Sequence, residues 1–323
     1  MGRALISGWN LHIPDGFLSG PVALVGWLLT AAAVLYALRQ TRNQLAEKQI
    51  PLMGVLAAFI FAAQAINFPV AGGTSGHLLG GALAAIIVGP WAAVLIMTCV
   101  VGIQGLVFQD GGLLVMGWNI ANMGILTAFT GHLVYTLLRR VFGSGRRALL
   151  AAGAVGAWLS VMAGAGATAV ELAVSGTSPL RIALPAMLGT HLLIGLGEAV
   201  ITVGALTFVH AARRDLLDAG ESAPGRAGAG WVAVGLGAAL LLAAFSPLAS
   251  ANPDGLNRVA ADLGFSSRAL GPSFNLLSGY VVRAIGNAAL AKIVAVGFGT
   301  LIVFAVALLA ARFQGKQGNK GNR

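Results

Sequence analysis

The stretch GNAALAKIVAVGFGTLIVFAVALLAA, residues 286–311, carries no charge after Lys292 and is closed on its far side by Arg312. As a helix rising ~1.5 Å per residue, a run of that length crosses a hydrocarbon core ~30 Å thick. It shows no apolar/polar alternation, so it does not fit a strand of a lipid-facing barrel. Helices and closed barrels are the two structures that satisfy every backbone group inside a bilayer. Runs of the same kind recur near 20–38, 51–70, 78–89, 90–108, 113–138, 148–174, 182–210 and 230–249. With 286–311 that makes nine candidate spans. The 323 residues are 57% hydrophobic and 9% charged, against roughly 25% charged for a soluble domain. The sequence therefore predicts an all-α polytopic membrane protein, with seven helices in a core and two more after it.

Orientation follows from the basic residues. With the N-terminus outside, nine spans put fourteen of the twenty Lys and Arg on the cytoplasmic side, as the positive-inside tendency asks. The net charge of +10 is thus read as topology, with the bilayer and not nucleic acid as the partner. A multi-pass protein of the plasma (inner) membrane with a cytoplasmic C-terminus is expected. The third span, 78–89, is short and is parted from the fourth only by Gly89-Pro90, which ends or sharply bends a helix. The Gly/Ala/Pro-rich segment 213–229 reads as a linker between a first part, 11–212, and a two-span part, 230–312, followed by a tail, 313–323. The loop 250–285 is too long for a turn and suggests a function or a folded insert. Residues 1–10 have neither the pattern of a secretory signal nor that of a lipidation site and look like an appendage.

Ionisable groups in such a chain are expensive to bury and are therefore functional candidates. Four places stand out. LHIPDGFLSG, residues 11–20, holds His12 and a Pro14-Asp15-Gly16 turn before the first span. AGGTSGHLLGG, residues 71–81, holds Thr74, Ser75 and His77 among five glycines that permit irregular backbone. THLLIGLGEA, residues 190–199, puts His191 and Glu198 on one helical face, read as a packing or assembly pair, with a proton relay as the competing reading. GWNIANMG, residues 117–124, offers Asn119 and Asn122 for interhelical bonds or for supporting a ligand site. His132, His210 and Glu171 are left as structural. Gly26 with Thr30, or Ala33 with Ala37, forms a small-residue surface on the first span suited to a partner helix. Cys99 is alone, and no GxxxxGK[ST] or HExxH motif occurs, so this sequence has neither a thiolate metal site nor an ATP-hydrolysing loop.

At HIPDGFL, GGTSGHLLGG and HLLIGLGEA together, the sequence closely resembles the CbiM/NikM substrate-binding component of cobalt and nickel energy-coupling-factor (ECF) transporters, over about residues 11–215. NPDGLNRVAADLGF, residues 252–265, resembles the PDGLE-type (CbiN/NikN-like) small subunit that the family carries separately or fused. The resemblance implies an ATP-dependent importer of Co2+ or Ni2+, for cobalamin synthesis or nickel enzymes. It also implies a transmembrane coupling subunit (CbiQ/NikQ-like) and a pair of cytoplasmic ATPases (CbiO/NikO-like) as partners. Its ligands carry over as the amine of the residue at Leu11, with His12 and His77; Asp15, Thr74, Ser75, Asn119 and Asn122 are their candidate support. An amine, the next amide nitrogen and the imidazole of the second residue can close two chelate rings, and a second imidazole completes four nitrogens, a set that suits Ni(II). The pattern requires a free amine at position 11, so translation is expected to begin there, at a codon read as methionine. An autonomous proton-coupled carrier and an intramembrane metalloenzyme are the rival classes. Having no histidine or cysteine, the loop 250–285 is expected to aid loading without contributing a ligand.

Overall fold

A computed structural model describes residues 12–42, 49–212, 229–274 and 276–321. Helix α1, Gly20–Thr41, is followed by α2, Gln49–Gln64, and by a two-stranded antiparallel hairpin of β1, Phe68–Val70, and β2, Thr74–Gly76. Next come α3, Gly81–Val88, and α4, Pro90–Ile103, which runs on as a π-helical turn, Gln104–Phe108. Helix α5, Met116–Ile120, passes through a second π segment, Ala121–Leu126, into α6, Thr127–Phe142. The remaining helices are α7, Arg146–Val174; α8, Leu180–Ala212; α9, Ala229–Ala244; α10, Gly255–Asp262; and α11, Ala288–Gly321.

The chain is an all-α polytopic membrane protein, and six helical stretches among the described residues are long and apolar enough to cross a bilayer. Three of the nine candidate spans, 51–70, 78–89 and 230–249, form shorter helices. Helix α3 has eight residues, about 12 Å of rise, so the expected third span does not cross alone. Gly89, at φ 85, turns the chain directly into Pro90. Helices α2 and α9 have 16 residues each, about 24 Å. The shortness of α2 has a physical reason. It is buried along nearly its whole length, so its ends abut protein rather than lipid and its backbone needs no match to the bilayer. Close packing brings α9 and α11 onto it: a Cβ on Gly235 would meet the Val55 side chain at 2.5 Å, and one on Gly54 would meet Phe304 at 3.1 Å.

The small residues of α1 are used inside the fold, which corrects their expected role. Gly26 lies against the indole of Trp118, and Thr30 donates to the carbonyl of Gly117 at 2.6 Å. Ala37 is fully buried. Leu24, Leu28 and Leu35 form the exposed face instead.

The segment between α9 and α11 is a folded insert. A 3-10 turn at Ser246–Leu248, helix α10 and a second 3-10 turn at Ser266–Arg268 lie along it. Leu256, Val259 and Phe265 pack with Ile13, Phe17, Leu172 and Met187 in one apolar cluster, and Phe17 meets Phe265 edge-on at 5.0 Å. Each such buried side chain contributes about 1.5–3 kcal/mol, so the insert is docked on the first part of the chain by its apolar face. The expected appendage 1–10, Leu11 and most of the linker 213–229 lie outside the described residues.

Candidate metal centre

His12 and His77 meet in one cavity. Their ring centroids are 5.8 Å apart and nearly perpendicular, a spacing that one ion bound ~2 Å from a nitrogen of each ring can bridge. The cavity holds about 70 Å³, well above the ~10–15 Å³ that one water needs. Asn119, Asn122, Thr168, His191 and Asp254 also line it.

The first motif is pinned by main-chain bonds. Asn119 accepts from the Ile13 amide at 3.0 Å and donates to the Ile13 carbonyl at 3.1 Å. The Asp15 carboxylate accepts from the amides of Leu113, Leu114 and Val115 at 3.0–3.2 Å, which ties the Pro14-Asp15-Gly16 turn to the loop ahead of α5. Gly111 adopts φ 90, and a Cβ there would lie 2.8 Å from both the His12 Cβ and the Asn119 amide. Only glycine allows that approach.

The second motif is held from both sides. Ser75 pairs with Asp254 as a parallel bridge. Its amide donates to the Pro253 carbonyl and its hydroxyl to that of Asn252, each at 2.8 Å, while Thr74 donates to Pro253 at 3.1 Å. Beyond His77, the amides of Leu79 and Gly80 donate to the two oxygens of Glu198 at 2.6 and 2.9 Å, and Gln64 donates to the Leu79 carbonyl at 2.8 Å.

The hydrogen bonds assign the tautomers. A carbonyl cannot donate, so where a ring nitrogen faces one, that nitrogen carries the proton. His12 Nδ1 faces the Asp110 carbonyl at 3.0 Å and His77 Nδ1 faces that of Leu78 at 2.9 Å. A ring so held offers a metal its Nε2 whenever that nitrogen carries no proton, and His12 Nε2 is buried with no hydrogen-bond partner. A second partner that locks ring and tautomer is the usual companion of a metal-binding imidazole. The six-membered chelate expected at His12 uses Nδ1, so closing it requires the ring to turn away from Asp110.

His191 and Glu198 take different partners, which corrects their reading as a pair. His191 Nδ1 donates back to the Met187 carbonyl at 2.8 Å and the ring lines the cavity, whereas Glu198 holds the backbone after His77. Asn122 makes interhelical bonds, to Thr168 and Glu171 on α7 at 3.3 and 3.1 Å, and both asparagines line the cavity. His132 faces the Ala85 carbonyl on α3 at 3.1 Å, away from the cavity.

Three residues of the site were not singled out in the sequence. Asp110 stands behind His12, with Oδ1 3.5 Å from Nδ1. Tyr280 donates to Asp110 Oδ2 at 2.6 Å. Burial and the Asp110 charge push its phenol well above the usual range, so it remains a donor. Tyr280 and Gln109 are the two non-glycine residues with positive φ among those described, at 60° and 53°. Gln109 accepts from the Ser273 amide at 2.8 Å, so this strained backbone sits where the insert meets the His12 loop. Asp254, 4% exposed, enters the cavity from the segment expected to supply no donor. Burial pushes its carboxyl up to about 7, partly offset by nearby His77 and by two bonds from Asn257. The signals for these residues, the Asp110-Gly111-Gly112 turn and the Pro253-Asp254-Gly255 turn, are common to many loops.

The structure thus places a buried two-imidazole cavity at the junction of helices, a hairpin and an inserted loop in a polytopic membrane protein. The comparisons agree. The model for the cobalt uptake substrate-specific transmembrane region matches residues 12–216, and the PDGLE domain model matches residues 229–315. The chain belongs to this cobalt and nickel transport family. A protein of Archaeoglobus fulgidus named as a candidate fused nickel transport protein NikMN is 34% identical over 94% of this chain and 99% of its own length. The cobalt transport protein CbiM of Sorangium cellulosum is 36% identical over 64% of this chain and 95% of its own. A crystal structure of a truncated transition-metal transporter superposes with TM-score 0.56 at 32% identity, covering 62% of this chain and 98% of that one.

Proposed function

We propose that the chain is the metal-binding membrane component of an ATP-dependent ECF importer, with Co(II) or Ni(II) as substrate. The observation that carries this reading is the shared cavity of His12 and His77, whose ring centroids lie 5.8 Å apart. Imidazole nitrogen suits Ni(II) and Co(II), whereas Mg(II) prefers oxygen. Among the described residues, no three His, Cys, Asp or Glu side chains form a metal-holding group; main-chain nitrogen from positions 11 and 12 would complete a four-nitrogen set once the His12 ring turns its Nδ1 away from Asp110. Asp15, Asn119, Thr74 and Ser75 hold the two motifs; Asn122 lines the wall. Residues 11–212 form the metal-binding unit and 230–312 the PDGLE-type unit, with the N-terminus outside and the C-terminus in the cytoplasm. The sequence carries no phosphate-binding loop, so energy enters through a separate coupling subunit and ATPase pair.

Uptake of radiolabelled Ni(II) and Co(II) by cells expressing the chain, with and without those partners, tests the reading. Uptake is expected to require the ATPase pair. Uptake that persists without it and follows the proton gradient would assign an autonomous carrier instead. In purified protein, His77→Ala is expected to lower affinity by more than about a hundredfold, beyond the 10–100-fold typical of residues that merely support a ligand.

A further inference from the structure

The carboxylate of Asp254 does more than cap α10. Its Oδ1 accepts from the Asn257 amide at 2.8 Å and from the Asn257 side chain at 2.7 Å, and serine or asparagine caps a helix as well as aspartate. A cap alone gives no reason to bury a carboxylate, which is expensive to take out of water. Asp254 nevertheless lines the cavity of His12 and His77, set there by bonds from the Thr74 and Ser75 hydroxyls and the Ser75 amide to the carbonyls of residues 252 and 253. Gly255 permits the approach, because a Cβ would sit 2.7 Å from His191 Cε1 and 2.7 Å from Ile194 Cδ1. Among the described residues no three His, Cys, Asp or Glu side chains form a metal-holding group, so in this arrangement Asp254 is not a third donor beside His12 and His77. Oxygen and nitrogen donors that share a cavity without a common coordination point can serve an ion in sequence.

We propose that Asp254 is a transfer ligand, the oxygen donor that receives the incoming divalent ion and passes it to the nitrogen set at His12 and His77. This rests on the proposed metal-import function. A carboxylate exchanges with the water shell of a dication more readily than a buried imidazole does, and its charge offsets that of the ion as hydration is lost. The C-terminal unit is then part of the metal's route, and it accelerates loading without fixing the final affinity.

The test uses the full chain in detergent or nanodiscs, with Ni(II) or Co(II) as the probe, and compares wild type with Asp254→Asn and Asp254→Ser. Both variants keep the cap, so a capping role alone predicts no change. The association rate, followed by stopped flow, is expected to fall at least about tenfold while the equilibrium affinity stays within about threefold. Association rates within about twofold of wild type in both variants would overturn the proposal. So would a loss of affinity that parallels the loss of rate, which would make Asp254 a resident ligand. If wild type binds neither metal, the failure belongs to the import reading itself.

Discussion

At the scale of single residues, His12 shows how the backbone readies an imidazole. Its Nδ1 proton is spent on Asp110 and its Nε2 is left bare in a buried cavity, while Asn119 and Asp15 fix the chain on either side of Ile13. Asp15→Asn removes the charge from three backbone bonds, at a cost of about 1.5–3 kcal/mol for charged hydrogen bonds. Ni(II) affinity by calorimetry is expected to drop about tenfold, with the protein still inserted in the membrane. The amine asked of position 11 has its own test. A chain that starts with methionine at position 11, carrying Leu11→Met, is expected to bind Ni(II) at least about tenfold more tightly than one with ten residues ahead of it, because an amine is a ready donor whereas a peptide nitrogen must first lose its proton. Equal affinities would remove the amine from the site. His12 and His77 were legible in the sequence because each sits in a short motif beside glycine or proline. Asp110 and Tyr280 were not, since their roles arise from a contact between residues 170 positions apart.

At the scale of elements, the hairpin and its supports matter most. The sequence pattern marks 71–81 as irregular, but it does not show that Glu198, far along α8, neutralises two amides there. Glu198→Ala leaves the Leu79 and Gly80 N–H groups buried without an acceptor, each at about 1–3 kcal/mol. It is expected to lower both thermal stability and metal affinity. His191→Ala removes a cavity wall and is expected to leave equilibrium affinity within about threefold. Thermal-shift and binding assays on the two variants separate support from lining, and the reverse ranking would contradict it. Gly255→Ala should push the insert off α8 by overpacking against His191 and Ile194, at about 1–3 kcal/mol, and His191→Ala in the same chain should relieve it in part. Protease sensitivity of the 250–285 segment reads that rescue. Helix existence was legible from apolar runs. The shortness of α3 was legible too, at Gly89-Pro90; that of α2 was not, because α2 is covered by neighbouring protein and escapes the bilayer's length requirement.

At the scale of the whole molecule, the C-terminal helices brace α2 and their connecting segment lines the cavity of His12 and His77. Composition alone established the membrane class, and the charge distribution gave an orientation. Neither showed that the 250–285 insert would dock on both histidine motifs, which depends on the apolar match of Leu256, Val259 and Phe265 with Phe17 and Leu172. Truncation after residue 225 is expected to lower transport and slow metal loading while leaving the final affinity of the remaining core near that of the full chain. The central claim is that His12 and His77 hold one ion together. X-ray absorption spectroscopy on Ni(II)-loaded protein tests it most directly. The account predicts a nitrogen-dominated coordination sphere with two imidazole rings, one of which disappears in His77→Ala. A sphere of oxygen or sulfur ligands, or one that His77→Ala leaves unchanged, would contradict it.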